Sequence, residues 1–242
     1  GKMRKIKGIR LLCVCVLCMV LFTACEDEKN TLNITRSENG EKVHDDIEAG
    51  NISHVNISGN ARSVVIKQSE NNNFEFYNAD LNADHKYEVR CDQSGSLLNI
   101  SLMMENAEAD NNILGSIVVY IPRKEFEKIE SAGEFHQIHF DTIHSDVFIH
   151  ADKSFVVLEL EAEQLDYNIT LDGSESGISP GVSVCLDKLP DNIKLNFNTT
   201  KNGTINDPQR LLKRNRLESG SGKPVIRINN TKEIELYVEE TL

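Results

Sequence analysis

Tryptophan is absent from this 242-residue chain, proline occurs five times, and aromatic residues make up 6%. Basic charge is also scarce: 26 Lys and Arg stand against 38 Asp and Glu, a formal charge of −12. An acidic balance repels phosphate and argues against nucleic acid as a partner. Apolar residues reach only 39%. Valine and isoleucine are nevertheless plentiful and the charge is dispersed, so wholesale disorder is excluded. The length suits one large domain or two small ones with a buried core. No apolar run reaches the ~20 residues that span a bilayer. After residue 25 there is no CxxC and no zinc-type spacing, and the chain has no HxH pair, HExxH, GxSxG or glycine-rich phosphate loop. No motif calls for a cofactor.

The first segment reads as an address. Lys2, Arg4, Lys5, Lys7 and Arg10 form a basic flank without an acid, and an apolar run follows from Leu11 to Thr23. That is the layout of a secretory signal. The run ends in Phe22-Thr23-Ala24-Cys25, which resembles the lipobox of bacterial lipoproteins, with Phe22 where an aliphatic residue is usual. The resemblance implies a signal peptide over 1–24, diacylglycerol (palmitate-bearing) modification of Cys25, and cleavage before it. The protein is then expected to sit outside the cytoplasm, anchored to the outer face of the bacterial cytoplasmic membrane or cell surface. Loss of the five basic residues leaves 21 against 38 acids, a charge of −17. Of six cysteines only Cys91 and Cys185 remain beyond Cys25. They either pair in an oxidising exterior or fill separate core positions. Residues 25–50 are polar and weakly periodic and read as a lipidated N-terminus and tether.

From Asn51 the dominant signal is alternation of β-branched and aromatic residues, as in Val55/Ile57, Val64/Ile66, Phe74/Phe76, Ile138/Phe140, Val156/Leu158/Leu160 and Ile234/Leu236/Val238. Turn residues separate these runs, so each reads as a strand. One stretch, Asp207 to Arg214, reads as a helix, with Asp207 as N-cap and Pro208 at the first helical position. The fold class is therefore all-β, one domain over 51–242. Strands recur in a coarse unit of about 20 residues, which favours a single-stranded β-helix or solenoid. The alternative is a β-sandwich, which also spaces short strands evenly.

Several strings carry a family resemblance: Ala61-Arg62-Ser63-Val64-Val65-Ile66-Lys67, Ile117-Val118-Val119-Tyr120-Ile121-Pro122, Ile129-Glu130-Ser131-Ala132-Gly133, and Ser219 to Ile228. Together they resemble the bacterial "putative adhesin" domains, a family of unknown function whose members form β-solenoids. The resemblance spans about residues 50–240, is weakest over 160–215, and brings no catalytic residues with it. It implies a solenoid and suggests adhesion.

Four of seven histidines fall close together, His136, His139, His144 and His150, with Asp141, Asp146 and Asp152 interleaved. Such a cluster is a weak candidate for a divalent metal or a pH response. His136 and His139 have opposite parity on a strand, however, and surface histidines on adjacent turns are the plainer reading. The serines of Gly173-Ser174-Glu175-Ser176-Gly177 lie in a turn with no base nearby. Acid pairs such as Asp45/Asp46 and Glu161/Glu163 look like solvated acids. Arg210, Lys213, Arg214 and Arg216 form the only basic island after the signal and are candidates for contact with an anionic partner, either lipid headgroups or wall polymers. The sequence is thus read as a non-enzymatic, lipid-anchored surface module with a protein or cell-wall polymer as ligand. A second reading is an envelope-stress sensor or regulator that binds cationic peptides. A third is a glycan-active β-helix enzyme.

Overall fold

The computed structural model describes residues 40–240 except 81, 83, 106–115 and 174–177. The signal segment 1–24, Cys25, the tether as far as residue 39, Ser174 and Ser176 lie outside the described residues.

In chain order the strands are β1 (Glu41–Glu48), β2 (His54–Gly59), β3 (Ser63–Gln68), β4 (Asn73–Asn78), β5 (Tyr87–Ser94) and β6 (Leu97–Met104). There follow β7 (Ile117–Ile121), β8 (Lys128–Ser131), β9 (Gln137–Asp141), β10 (Val147–His150) and β11 (Phe155–Leu160). The last are β12 (Ile169–Asp172), β13 (Gly181–Lys188), β14 (Ile193–Asn206), β15 (Arg216–Ser219) and β16 (Val225–Glu240). All sixteen belong to one mixed sheet that turns back on itself through the long β16 and is nearly closed.

The centre of the sheet is parallel. One run of strands is β6-β2-β8-β10-β12, continued by the first half of β16 and then β14. The other is β7-β3-β9-β11-β13, continued by the second half of β16. Each successive pair, such as β8/β9 or β10/β11, places one strand in each run. The alternation in the sequence explains the core. Val55, Ile129, Val147, Ile169, Ile226 and Leu195 are in register on the inner side of the first run. Val64, Ile138, Val156, Val182 and Ile234 do the same in the second. All belong to one buried cluster that also takes in Phe74, Phe76, Phe135, Phe140 and Phe197. Ile129, Val147 and Ile169 lie 18 and 22 residues apart, and Ile138, Val156 and Val182 lie 18 and 26 apart, close to the repeat legible in the sequence. An antiparallel sandwich does not generate such register.

The ends depart from chain order. The β6/β7 pair lies outside β2/β3, and β14 lies outside β16. Antiparallel strands then cover both ends: β5 on β6, β4 and β1 on β7, and β15 on β14. At the β2–β3 corner Gly59 has φ +123°, and a Cβ there would stand 2.0 Å from the Leu102 carbonyl oxygen, so the close approach of β6 requires glycine.

Two expectations are corrected, and the alternative left open for Cys91 and Cys185 is decided. Residues 41–48, read as tether, form β1, in register with β4 through His44 opposite Phe76 and Ile47 opposite Phe74; the strand reads as tether in the sequence because only Val43, His44 and Ile47 are even partly buried. Residues 207–214 form no helix. Asp207 does bind an amide, but that of Leu212, five residues on, at 2.7 Å, and Arg210 and Arg214 have φ of 55° and 51°, outside the right-handed helical region. Cys91 and Cys185 are both free thiols. They stand on β5, at one end of the first run, and β13, deep in the second.

Candidate binding groove at the corner turns

The strands β7, β9, β11 and β13 of the second run end at the same edge, where the chain turns to start a strand of the first. The turns over 122–127, 142–146, 161–168 and 189–192, with the 220–224 turn beside them, stack along this edge. Polar side chains tie each turn to the next. Ser145 Oγ accepts from the Phe126 amide at 2.9 Å and donates to the Lys124 carbonyl at 3.0 Å. Thr142 Oγ1 accepts from the Glu161 amide at 2.9 Å, and the Tyr167 hydroxyl from the Ile143 amide at 3.2 Å. Asp187 accepts from Ala162 N at 2.7 Å, Asp146 from Asn168 N at 2.8 Å, Asn168 from Val225 N at 2.9 Å and Asn192 from Ser221 N at 2.8 Å. The Ser, Thr, Asp and Asn residues that mark turns in the sequence satisfy the amides the parallel ladders leave open.

Two depressions lie along this edge and share Asp166. The larger, about 880 Å³, is bounded by Leu165, Leu189, Pro190 and Pro224 and by Glu163, Asp166 and Asp191, with Lys188 and Lys223 at its sides. The smaller, about 490 Å³, lies between Arg123, Glu125, Phe126, His144, Asp146 and Tyr167. Lys188 pairs with Glu163 and holds its carboxyl below the ordinary range. His144 Nδ1 is 3.6 Å from Asp166 Oδ1. The carboxylates of Asp191 and Glu125 have no ion-pair partner among the described residues. Apolar floor and mainly acidic walls suit an extended, basic polypeptide segment. Sequence reading missed this groove, since its residues come from five separated turns.

The four candidate histidines are not brought together. His136 sits in the turn before β9, where burial and the nearby Arg62 charge lower its pKa. His139 is on β9, on the side away from the core yet only 2% exposed. Its Nε2 lies 3.0 Å from Glu159 Oε2, near enough to pair if protonated but out of line for a hydrogen bond, and Nδ1 has no partner. His144 is at the groove. His150 is on β10, 2.6 Å from Glu130. Register explains the dispersal: β9 and β10 belong to different runs. Among the described residues no group of three or more His, Cys, Asp and Glu is placed to hold a metal.

Asp141 and Glu159 are neighbours on β9 and β11 beside His139. Burial, reinforced by the Glu159 carboxylate, raises the Asp141 pKa. Glu130 moves the other way, lowered by Lys128 and His150. The basic island lies at the opposite end of the stack from β1: Arg210, Lys213 and Arg214 in the β14–β15 loop and Arg216 on β15, all exposed.

No protein-family model matches the chain, and no curated protein matches it in sequence. Among solved structures the chain is similar to "a putative cell adhesion protein" from Clostridium sporogenes, at 12% identity and a TM-score of 0.49, over 80% of this chain and 97% of that one.

Proposed function

We propose that this chain is a lipid-anchored, extracytoplasmic interaction module of solenoid form that binds a polypeptide ligand along the corner groove and performs no chemistry on it. The stacked turns carry this reading. Side-chain bonds from each turn to the next hold the groove in one shape, which reduces the ordering cost of binding. The parallel register of the two runs and the family resemblance of residues 50–240 support the solenoid form, and the resemblance supports an adhesin-like role. The basic flank, apolar run and small residues before Cys25 support the anchor.

A second reading, sensing of cationic peptides, is favoured by the groove acids Glu163, Asp166 and Asp191 in a chain of charge −12, which becomes −17 on removal of the signal segment. The two differ in salt response, because exposed charges are screened beyond a Debye length of about 8 Å at physiological ionic strength. Residues 40–242 are titrated with a synthetic cationic amphipathic peptide at low salt and at about 0.15 M. Saturable binding that persists at the higher salt and is lost in Glu163→Gln/Asp166→Asn/Asp191→Asn supports sensing. Binding that vanishes at the higher salt removes it and leaves the adhesin-like reading. If the triple substitution changes binding at neither salt, the groove is not the site.

A further inference from the structure

The loop between β14 and β15 does more than connect them. It crosses the open end of the stack from the second run to the first and is fastened along its course. Gln209 exchanges two hydrogen bonds with the backbone of Val238, at 2.7 and 2.9 Å. Leu211 and Leu212 pack against the core, and the Asn215 carbonyl accepts from Phe197 N at 3.0 Å. At its tip Lys213 and Arg216 exchange backbone hydrogen bonds at 2.8 and 3.1 Å around Arg214-Asn215. Those two residues have φ of 51° and 64°, a tight hairpin turn of the type normally built with Asn-Gly. An arginine in the first of these positions is conformationally unfavourable, and backbone strain of this kind concentrates at functional sites.

The tip is charged in one sense. Arg210, Lys213, Arg214 and Arg216 are exposed, and none has an ion-pair partner among the described residues. Register adds a fifth cation that sequence proximity hides. Arg216 is opposite Asn196, which is opposite Arg227, so Arg216 and Arg227 share a face two strand spacings, about 10 Å, apart. Arg227 is exposed and likewise unpaired among the described residues. Acids beside these cations are engaged elsewhere: Glu218 with Lys194 at 2.9 Å, Asp207 with the Leu212 amide, and Asp172, diagonal to Arg227, with the Asn230 side chain at 2.9 Å. Five free cations thus converge at one end of a strongly acidic chain. β1, where the described chain begins, lies at the other end, eight strand spacings or about 38 Å away.

We propose that this end of the stack is a recognition site for a linear phosphate polymer, presented from the side remote from the N-terminal attachment. Guanidinium forks grip phosphate oxygens bidentately. A narrow, exposed hairpin tip with one flanking arginine suits a thread of phosphates better than the broad plane of a bilayer. The site is independent of the corner groove, whose acids would repel such a ligand.

The test uses the full chain in detergent, medium-length inorganic polyphosphate as probe, and anionic phospholipid vesicles as the competing partner. Arg214→Gly keeps the hairpin, because glycine favours its φ. Combined with Arg216→Gln and Arg227→Gln, it should weaken polyphosphate binding at least tenfold and flatten its dependence on salt, while peptide binding at the groove is unchanged. Equal affinity of variant and wild type would overturn the proposal. So would vesicle binding that exceeds polyphosphate binding and is lost in the variant. A variant that self-associates while still binding polyphosphate would overturn it too, since the cations would then serve only to block end-to-end strand pairing.

Discussion

Asp141 shows what a single carboxylate costs this fold. It faces away from the core, yet neighbours enclose it, and burial and the Glu159 carboxylate together raise its pKa. A carboxyl raised on folding contributes stability that is present below its unfolded pKa and is lost as pH climbs through the folded one. Asp141→Asn should therefore melt above wild type at pH 7–8, and the difference should close as the pH falls below the ordinary carboxylate range. Thermal melts across pH 3–8 check this; a gain that grows toward acid pH would refute the assignment. The Cys91 thiol illustrates the same principle. Burial pushes Cys91 up to about 12, so it stays protonated and unreactive near neutrality.

Among elements, the paired strands β8/β9, β10/β11 and β12/β13 carry the architecture. Each contributes one apolar residue to each inner row, so a single wrong residue is felt by the strand on either side. Val156 and Ile169 are both fully buried in different runs. An unpaired carboxylate at such a position costs several kcal/mol, a large share of the ~5–15 kcal/mol that holds a domain together. Val156→Asp and Ile169→Asp should each lower the melting temperature drastically or abolish folding, as followed by circular dichroism. A Glu substitution at the outward Thr170 should be nearly silent. Equal effects at inward and outward sites would mean the register is wrong.

On the scale of the whole molecule, charge and polarity are separated. Attachment is expected at the β1 end, the acidic groove follows one edge, and five cations crown the far end. The anchor has its own test. Wild-type protein should partition with membranes and take up labelled palmitate, and Cys25→Ala should lose both; label that survives the substitution would refute lipidation at Cys25.

Strand alternation, turn chemistry and the repeat near 20 residues are local patterns, and they determined the all-β class, the inner rows and almost every strand from β2 onward. Two-residue periodicity reports which side chains face inward, because burial acts on each residue separately. It does not report which strand is the neighbour. That was settled only in three dimensions, where β6/β7 slipped outside β2/β3 and β14 outside β16. The same limit governs the sites. The histidines were adjacent in sequence and parted because consecutive strands enter opposite runs. Glu163, Asp166 and Asp191 met across separate turns, and Arg227 reached Arg216 through Asn196. The helix read at Asp207 failed because a proline and a cap describe only how a helix begins, whereas the open end of the stack needed a loop that could carry Leu211 and Leu212 onto the core.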